Sequence, residues 1–185
     1  MREMTALWIV VLLIVIAIAY YIRLNNTIVK MEENVGNAWS DVDVQLRMRF
    51  DLVDNLVETV KWYAKHEKST FKEVVEARNK FATATDVKSK AEADNMLSSS
   101  LKSLFALSES YPELKSNENF LNLQSELSDI ENKIASARRY FNAATREYNT
   151  LIKQFPANIL FHKDPKDYFE WIEEAKKAPK VKFDD

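Results

Sequence analysis

The sequence predicts an all-α protein, a four-helix bundle preceded by one N-terminal transmembrane helix. Three observations carry that prediction. Gly occurs once and Pro four times in 185 residues, far too few turn-formers for a sandwich or barrel. An uncharged apolar run opens the chain. Two long later stretches then repeat apolar residues at steps of three and four, the period of a helix with one buried face.

The first element is "MTALWIVVLLIVIAIAYYI", Met4 to Ile22. As a helix it covers roughly 28 Å, close to the hydrocarbon thickness of a bilayer. Trp8 lies near one end and Tyr20 and Tyr21 at the other, where amphipathic rings settle at membrane interfaces. A cleaved signal peptide is the rival, since "AIA" at Ala17 to Ala19 resembles a cleavage site. Against it, the apolar run continues through Ile22 and the basic n-region is only Arg2 beside Glu3. Residues 1–24 are therefore expected to be an uncleaved anchor whose residues 4–22 contact the lipid bilayer. Arg2 before the span and Arg23 and Lys30 after it leave its orientation undecided by charge. No two small residues in the span are four apart, so no small-xxx-small dimer seam is present. Self-association, if any, falls to the body.

The body is expected over residues 25–155. In its first helix, about Ile28 to Tyr63, the residues Val35, Trp39, Val42, Leu46, Arg49, Val53, Leu56, Val60 and Tyr63 form a heptad-like seam broken only at Arg49. A weaker helical run over about His66 to Ala84 carries Phe71, Val74, Val75 and Phe81 on one side. Neither Gly nor Pro separates these two runs, so a single bent rod and three helices in all is the open alternative. Asp86 is a candidate N-cap for the next helix, with Leu97, Leu101, Leu104 and Leu107 leading to Tyr111 and Pro112 as its stop. Ser116 is a candidate cap for the last helix. There Phe120, Leu123, Leu127, Ile130, Ile134, Ala137, Phe141, Ala144, Tyr148, Leu151 and Phe155 alternate by three and four up to Pro156. Such a seam requires a helix packed along its whole length, roughly 57 Å.

Residues 156–185 change character: Phe161, Tyr168, Phe169, Trp171 and Phe183 stand among charges, with Pro165 and Pro179 between them. The reading adopted is a tail whose rings pack on the bundle, because large apolar surface is usually covered. A segment that grips a partner or a headgroup region is the alternative.

Several function classes find no support. Lys+Arg 26 against Asp+Glu 28 gives no basic footprint for a nucleic acid. With no Cys, disulfides, thiolate metal sites and Cys nucleophiles are excluded. A di-iron bundle needs Glu-x-x-His pairs, but Tyr63 precedes His66 and Ile159 precedes His162 at that spacing. There is no HExxH, Gly-rich phosphate loop or GxSxG elbow. No cofactor and no enzymatic activity are expected. The weakest alternative is acid–base chemistry by Asp41, Asp43, Asp51 and Glu58.

Two polar clusters interrupt the seams. Arg138, Asn142, Arg146 and Asn149 share one helix face by spacing, and Arg49, Asp51, Asn55 and Glu58 form a comparable group on the first helix. An Arg on a buried seam must be paired, so Arg49 predicts a carboxylate across the interface, with Glu131 and Glu126 as candidates. The preferred role for these polar groups is fixing helix register. The alternative is an anion or lipid-headgroup sensor built on the Arg/Asn stripe.

The same clusters carry a family resemblance. "NAWSDVDVQLRMRFDLVDNLVETVKWYAKHE" (Asn37 to Glu67), "ALSESYPELKSN" (Ala106 to Asn117) and "ENFLNLQSELSDIENKIASARRYFNAATREYNTLIKQFP" (Glu118 to Pro156) resemble the signature of the LemA family, membrane-anchored helical proteins of bacteria. Relatives commonly show Ile-Pro-Asn where this chain has Val53, Asp54 and Asn55, which removes the Pro behind any kink carried over from them. The resemblance implies an antiparallel four-helix bundle behind one span and supplies no reaction. Some relatives bear a lipid-attachment Cys in place of the span, which implies a body outside the cytoplasm. Others are encoded near a membrane zinc metalloprotease, and a magnetosome-membrane relative implies membrane-organising work. The expected function is a non-enzymatic scaffold or adaptor that self-associates or binds another membrane protein.

Overall fold

A computed structural model describes residues 1–169. Every regular element among them is helical. α1 runs unbroken from Arg2 to Tyr63, α2 from Lys68 to Thr83, α3 from Val87 to Ala106 and α5 from Glu118 to Lys153. Two single turns, α4 (Pro112–Lys115) and α6 (Ala157–Leu160), lie in the connections, and a 3-10 turn covers Leu107–Ser110. The span and the first body helix are thus one element, and the chain passes Val53–Asn55 without interruption. A non-helical turn over residues 64–67 separates α1 from α2, which removes the bent-rod alternative.

The caps explain most boundaries. Asp86 accepts a hydrogen bond from the Ser89 N–H at 2.9 Å, and the Ser89 hydroxyl accepts one from the Asp86 N–H, a reciprocal capping box. The Ser89 N–H, and then the Ser89 hydroxyl donating to Asp86 Oδ2 at 2.7 Å, hold the Asp86 carboxyl below the ordinary aspartate range. α5 is capped one residue later than its sequence suggests: Asn117 Oδ1, not Ser116, accepts from the Phe120 N–H at 2.9 Å. Its amide nitrogen also donates to the Tyr63 hydroxyl at 3.0 Å, tying the start of α5 to the end of α1. Pro112 does not stop α3, which has already ended at Ala106; it opens α4, where its missing N–H costs nothing.

The chain divides into two compact units. The first comprises Met1–Ser40 and Tyr140–Lys166. Its packed part buries Ile28, Val35 and Ala38 of α1 with Phe141, Ala144, Tyr148 and Ile152 of α5. Trp39 and Phe141 meet at a ring-centroid distance of 5.4 Å. Residues up to Ile22 present their apolar side chains outward on every side, and none of the most apolar 18-residue window is buried. That stretch is long and apolar enough to cross a membrane.

The second unit comprises, among the described residues, Asp41–Arg139 and Asp167–Phe169. One core gathers Val53, Leu56 and Val60 from α1, Phe71, Val74 and Ala77 from α2, Leu97, Leu101 and Leu104 from α3, and Phe120 and Leu127 from α5. Leu114 of α4 plugs its end. Two seam assignments need correction. Val75 is exposed and Ala77 takes the inward position, because the α2 stripe steps 71, 74, 77 and 81. Phe155 is 80% exposed, since α5 ends at Lys153 and the helical step fails beyond it.

Candidate functional site

The densest polar chemistry lies inside the second unit. Arg49 of α1, Asp94 of α3 and Arg138 of α5 are 2%, 1% and 5% exposed. The two oxygens of the Asp94 carboxylate each take one guanidinium, Oδ1 pairing with Arg49 and Oδ2 with Arg138. Arg49 also pairs with Glu131 of α5, which reaches in from a half-exposed position. Its Nη1 also donates to the Ser98 hydroxyl at 3.0 Å and its Nη2 to the Asp94 backbone carbonyl at 3.1 Å, while the buried Nε–H makes no hydrogen bond. The Arg138 guanidinium lies 4.6 Å from the centroid of the Phe169 ring, a cation–π contact.

The reason this cluster exists is electrostatic. Burial pushes the Arg49 guanidinium below its ordinary pKa, and Glu131 opposes that shift. A guanidinium does not surrender its proton under such pressure, so the fold must supply carboxylates. Two arginines against Asp94 and Glu131 balance in formal charge. The sequence-based demand for a carboxylate opposite Arg49 is met by Glu131; Glu126 does not take part in these pairs. Asp94 is the partner that sequence reasoning missed. Its signal was present: Lys90, Asp94, Leu97, Leu101 and Leu104 step by four, three, four and three, and both charged members are buried. Lys90 pairs with Asp43, which also accepts from Arg47 Nε at 2.9 Å. Burial pushes the Asp43 carboxyl up, but Lys90 and then Arg47 outweigh it and hold it below the ordinary range. An acid held ionised by two cations is a structural anion and is poorly placed to donate a proton.

The other predicted polar positions are dispersed. Asp51, Asn55 and Glu58 are exposed on α1. Asn142 is half-buried, Arg146 exposed and Asn149 buried, all three in the first unit. Asn149 has a specific duty: its amide nitrogen donates to the Lys166 carbonyl and its oxygen accepts from the Lys166 N–H, both at 2.8 Å. The chain after α6 is thereby held along α5. Lys163 and Lys166 reach Glu32 of α1, one at each carboxylate oxygen and both at 2.9 Å. Bonds from Lys163 and then Lys166 hold Glu32 below the ordinary glutamate value, and Glu32 raises both lysines. Phe161 stacks on Tyr21 at 5.1 Å. Of the other tail rings, Phe169 is buried and Tyr168 exposed, while Trp171 and Phe183 lie outside the described residues. Among the interface candidates, Trp8, Tyr20 and Tyr21 are all exposed.

Among the described residues, no group of three or more His, Cys, Asp or Glu side chains is placed to hold a metal ion. His66 lies in the turn after α1 and His162 beyond α6, both exposed.

An all-α chain with a bilayer-length apolar segment and an internally balanced ion cluster defines a class: helical proteins built to sit at a membrane. The family model "LemA family" matches residues 38–183, and the chain belongs to the LemA family. Similar proteins include Magnetosome protein MamQ 2 of Paramagnetospirillum magneticum, 28% identical over 176 residues and covering 81% of this chain and 65% of that protein. Magnetosome protein MamQ of Magnetospirillum gryphiswaldense is 28% identical over 161 residues, covering 73% and 59%. Protein LemA of Metamycoplasma hominis is 23% identical over 144 residues, covering 77% and 66%. The chain thus spans no more than two thirds of the length of these relatives. Family and apolar helix together point to a membrane-associated protein.

Proposed function

We propose that this chain is a non-enzymatic, membrane-anchored scaffold or adaptor that self-associates or binds another membrane protein. In this reading residues 4–22 span the bilayer, residues 25–155 form an antiparallel four-helix body, and the described part of the tail, residues 156–169, braces it. The observation that carries the proposal is the Arg49–Asp94–Arg138 cluster. Its charges are spent on one another across three helices, which serves register and leaves them unsuited to a substrate. A body fixed so firmly, with its tail strapped through Asn149 and Glu32, offers surfaces in place of a reaction centre.

The anion-sensor reading draws less support. Arg138 and Asn149 are committed to internal partners, and of the stripe only Arg146 is exposed. For orientation we favour the body outside the cytoplasm, following the lipid-anchored relatives that the family resemblance implies. That resemblance also puts a membrane metalloprotease among the candidate partners. The magnetosome proteins among the relatives favour work on membrane organisation.

Cross-linking in intact membranes, followed by affinity capture of the full chain, tests the proposal. A complex larger than one chain is expected, and recovery of monomer alone overturns it. Because the chain has no Cys, single cysteines in the body report its side of the membrane by labelling with an impermeant maleimide.

A further inference from the structure

The last turn of α1 is a ridge between two grooves of opposite charge, both within the second unit. One groove, about 1060 Å³, is lined by three carboxylates, Glu58, Glu113 and Glu126, with Tyr111 and several asparagines, and by no Lys or Arg. The other, about 670 Å³, is lined by Lys61, Lys65, Lys68 and Lys72 with Phe71 and Val75. Glu58 and Trp62 line both. Trp62 is 74% exposed, with Lys65 5.8 Å from its ring centroid. Lys72 has a partner, Glu76 at 3.6 Å, but that pair is itself exposed.

A large aromatic between a basic and an acidic flank is an unusual thing to leave in water. Trp is the residue most enriched at the centres of protein interfaces, where a charged rim sets the partner and the register. The pattern also limits the partner. An ordinary acidic or basic partner answers one groove and is repelled by the other. A two-fold interface brings each patch onto its counterpart, so that residue i meets j and j meets i. A face with complementary halves on either side of a ridge therefore matches itself.

We propose that this chain associates with a second copy of itself across the Trp62 ridge, the acidic groove of each copy lying over the basic groove of the other. This rests on the scaffold reading and names the surface by which self-association occurs. Lys61, Lys65 and Lys68 then face Glu58, Glu113 and Glu126 of the second copy, with the two Trp62 rings near the axis. Attraction of this kind weakens as salt rises.

The test uses the full chain in nanodiscs, with two reporter cysteines whose placement leaves Trp62 and every charge intact. One preparation carries Asn122→Cys in the acidic groove, and another carries Val75→Cys in the basic groove. A short bis-maleimide should link the two chains in a mixture and link neither preparation to itself. Trp62→Ala should abolish the product. Reversing either charge set (Lys61→Glu, Lys65→Glu and Lys68→Glu, or Glu58→Lys, Glu113→Lys and Glu126→Lys) should lower the yield by roughly tenfold or more, because like charges then face each other. Mixing the two reversed chains, each carrying its own cysteine, should restore it. The inference is overturned if the mixture links no better than either preparation alone, or if the reversed chains fail to rescue one another. If sedimentation still finds an assembly while these cross-links are missing, this surface is wrong and the scaffold reading survives. If the chain is a monomer with no partner in membranes, both fall.

Discussion

The two halves of α1 are one continuous helix with two different surfaces. From Met4 to Ile22 the side chains are apolar on every side and all are exposed. From Val35 to Val60 most apolar residues gather on one seam, with Val42, Val53, Leu56 and Val60 fully buried, while the remaining faces carry charges beside a few exposed apolar residues such as Val44 and Met48. Backbone geometry is common to both, so the difference lies wholly in what surrounds the side chains. All-round apolarity is stable only where the solvent is itself hydrocarbon. A single apolar seam is stable in water, and it tolerates an inward Arg49 only because Asp94 and Glu131 answer it. An unanswered charge is expensive in either half, but the second half has evolved an answer.

The sharpest way to break that contrast is to remove the answer. Asp94→Leu leaves Arg49 and Arg138 buried and facing each other without their shared anion. We expect a loss of about 3–5 kcal/mol in unfolding free energy, read by urea denaturation of the detergent-solubilised chain. The same change accompanied by Arg49→Met and Arg138→Met should recover most of the loss, since an apolar cluster of similar volume needs no counter-charge. Next in size is a charge placed in the first half. Ile14→Lys should cost insertion about 2.5–3.5 kcal/mol at mid-span and move protein from the membrane pellet to the soluble fraction. The equivalent change at exposed Val44, in the water-facing part of the same helix, should leave both fractionation and stability almost unchanged.

Smaller effects concern the strap. Asn149→Ala removes both bonds to the Lys166 backbone and should cost about 1–3 kcal/mol locally, seen as faster amide exchange at Lys166. Smallest is the pH dependence of Glu32. Its folded pKa lies below the ordinary value of 4.5. Its stabilising effect is therefore complete above that value and is lost as pH falls through the lowered folded value. Lys163 and Lys166 are raised above 10.5, so their share is complete below that value and is lost as pH climbs through the raised ones. The melting difference between the wild type and Glu32→Gln should be present near neutrality and should shrink only as pH falls below 4.5, through the lowered folded value.

The sequence made the helices legible because period and composition act over many residues. Seven members of the α1 seam, Arg49 among them, are buried as their spacing requires, and Asp86 caps α3 as its residue type suggests. Single side-chain partners were harder. Asp94 sits on the α3 seam at a regular step, but a lone Asp in a Ser- and Asn-rich stretch also reads as a solvated face. The Asn149 clamp left no sequence signal, because its partner is backbone and any residue supplies an N–H and a carbonyl. The cap of α5 fell to Asn117 over Ser116 because Ser116 closes α4, its hydroxyl donating to the Glu113 carbonyl at 3.2 Å, while Asn117 is also tied to Tyr63. The α5 seam failed at Phe155 for a simpler reason: periodicity has no meaning past the helix end.

The central claim is that the buried guanidiniums lock helices together and serve no ligand. Replacing Arg49, Asp94 and Arg138 together with apolar residues and capturing the complex from membranes tests it most directly. The account predicts near-wild-type melting and the same captured complex. A variant that melts normally but no longer forms that complex would contradict it, because the charges would then have been needed for something beyond the fold.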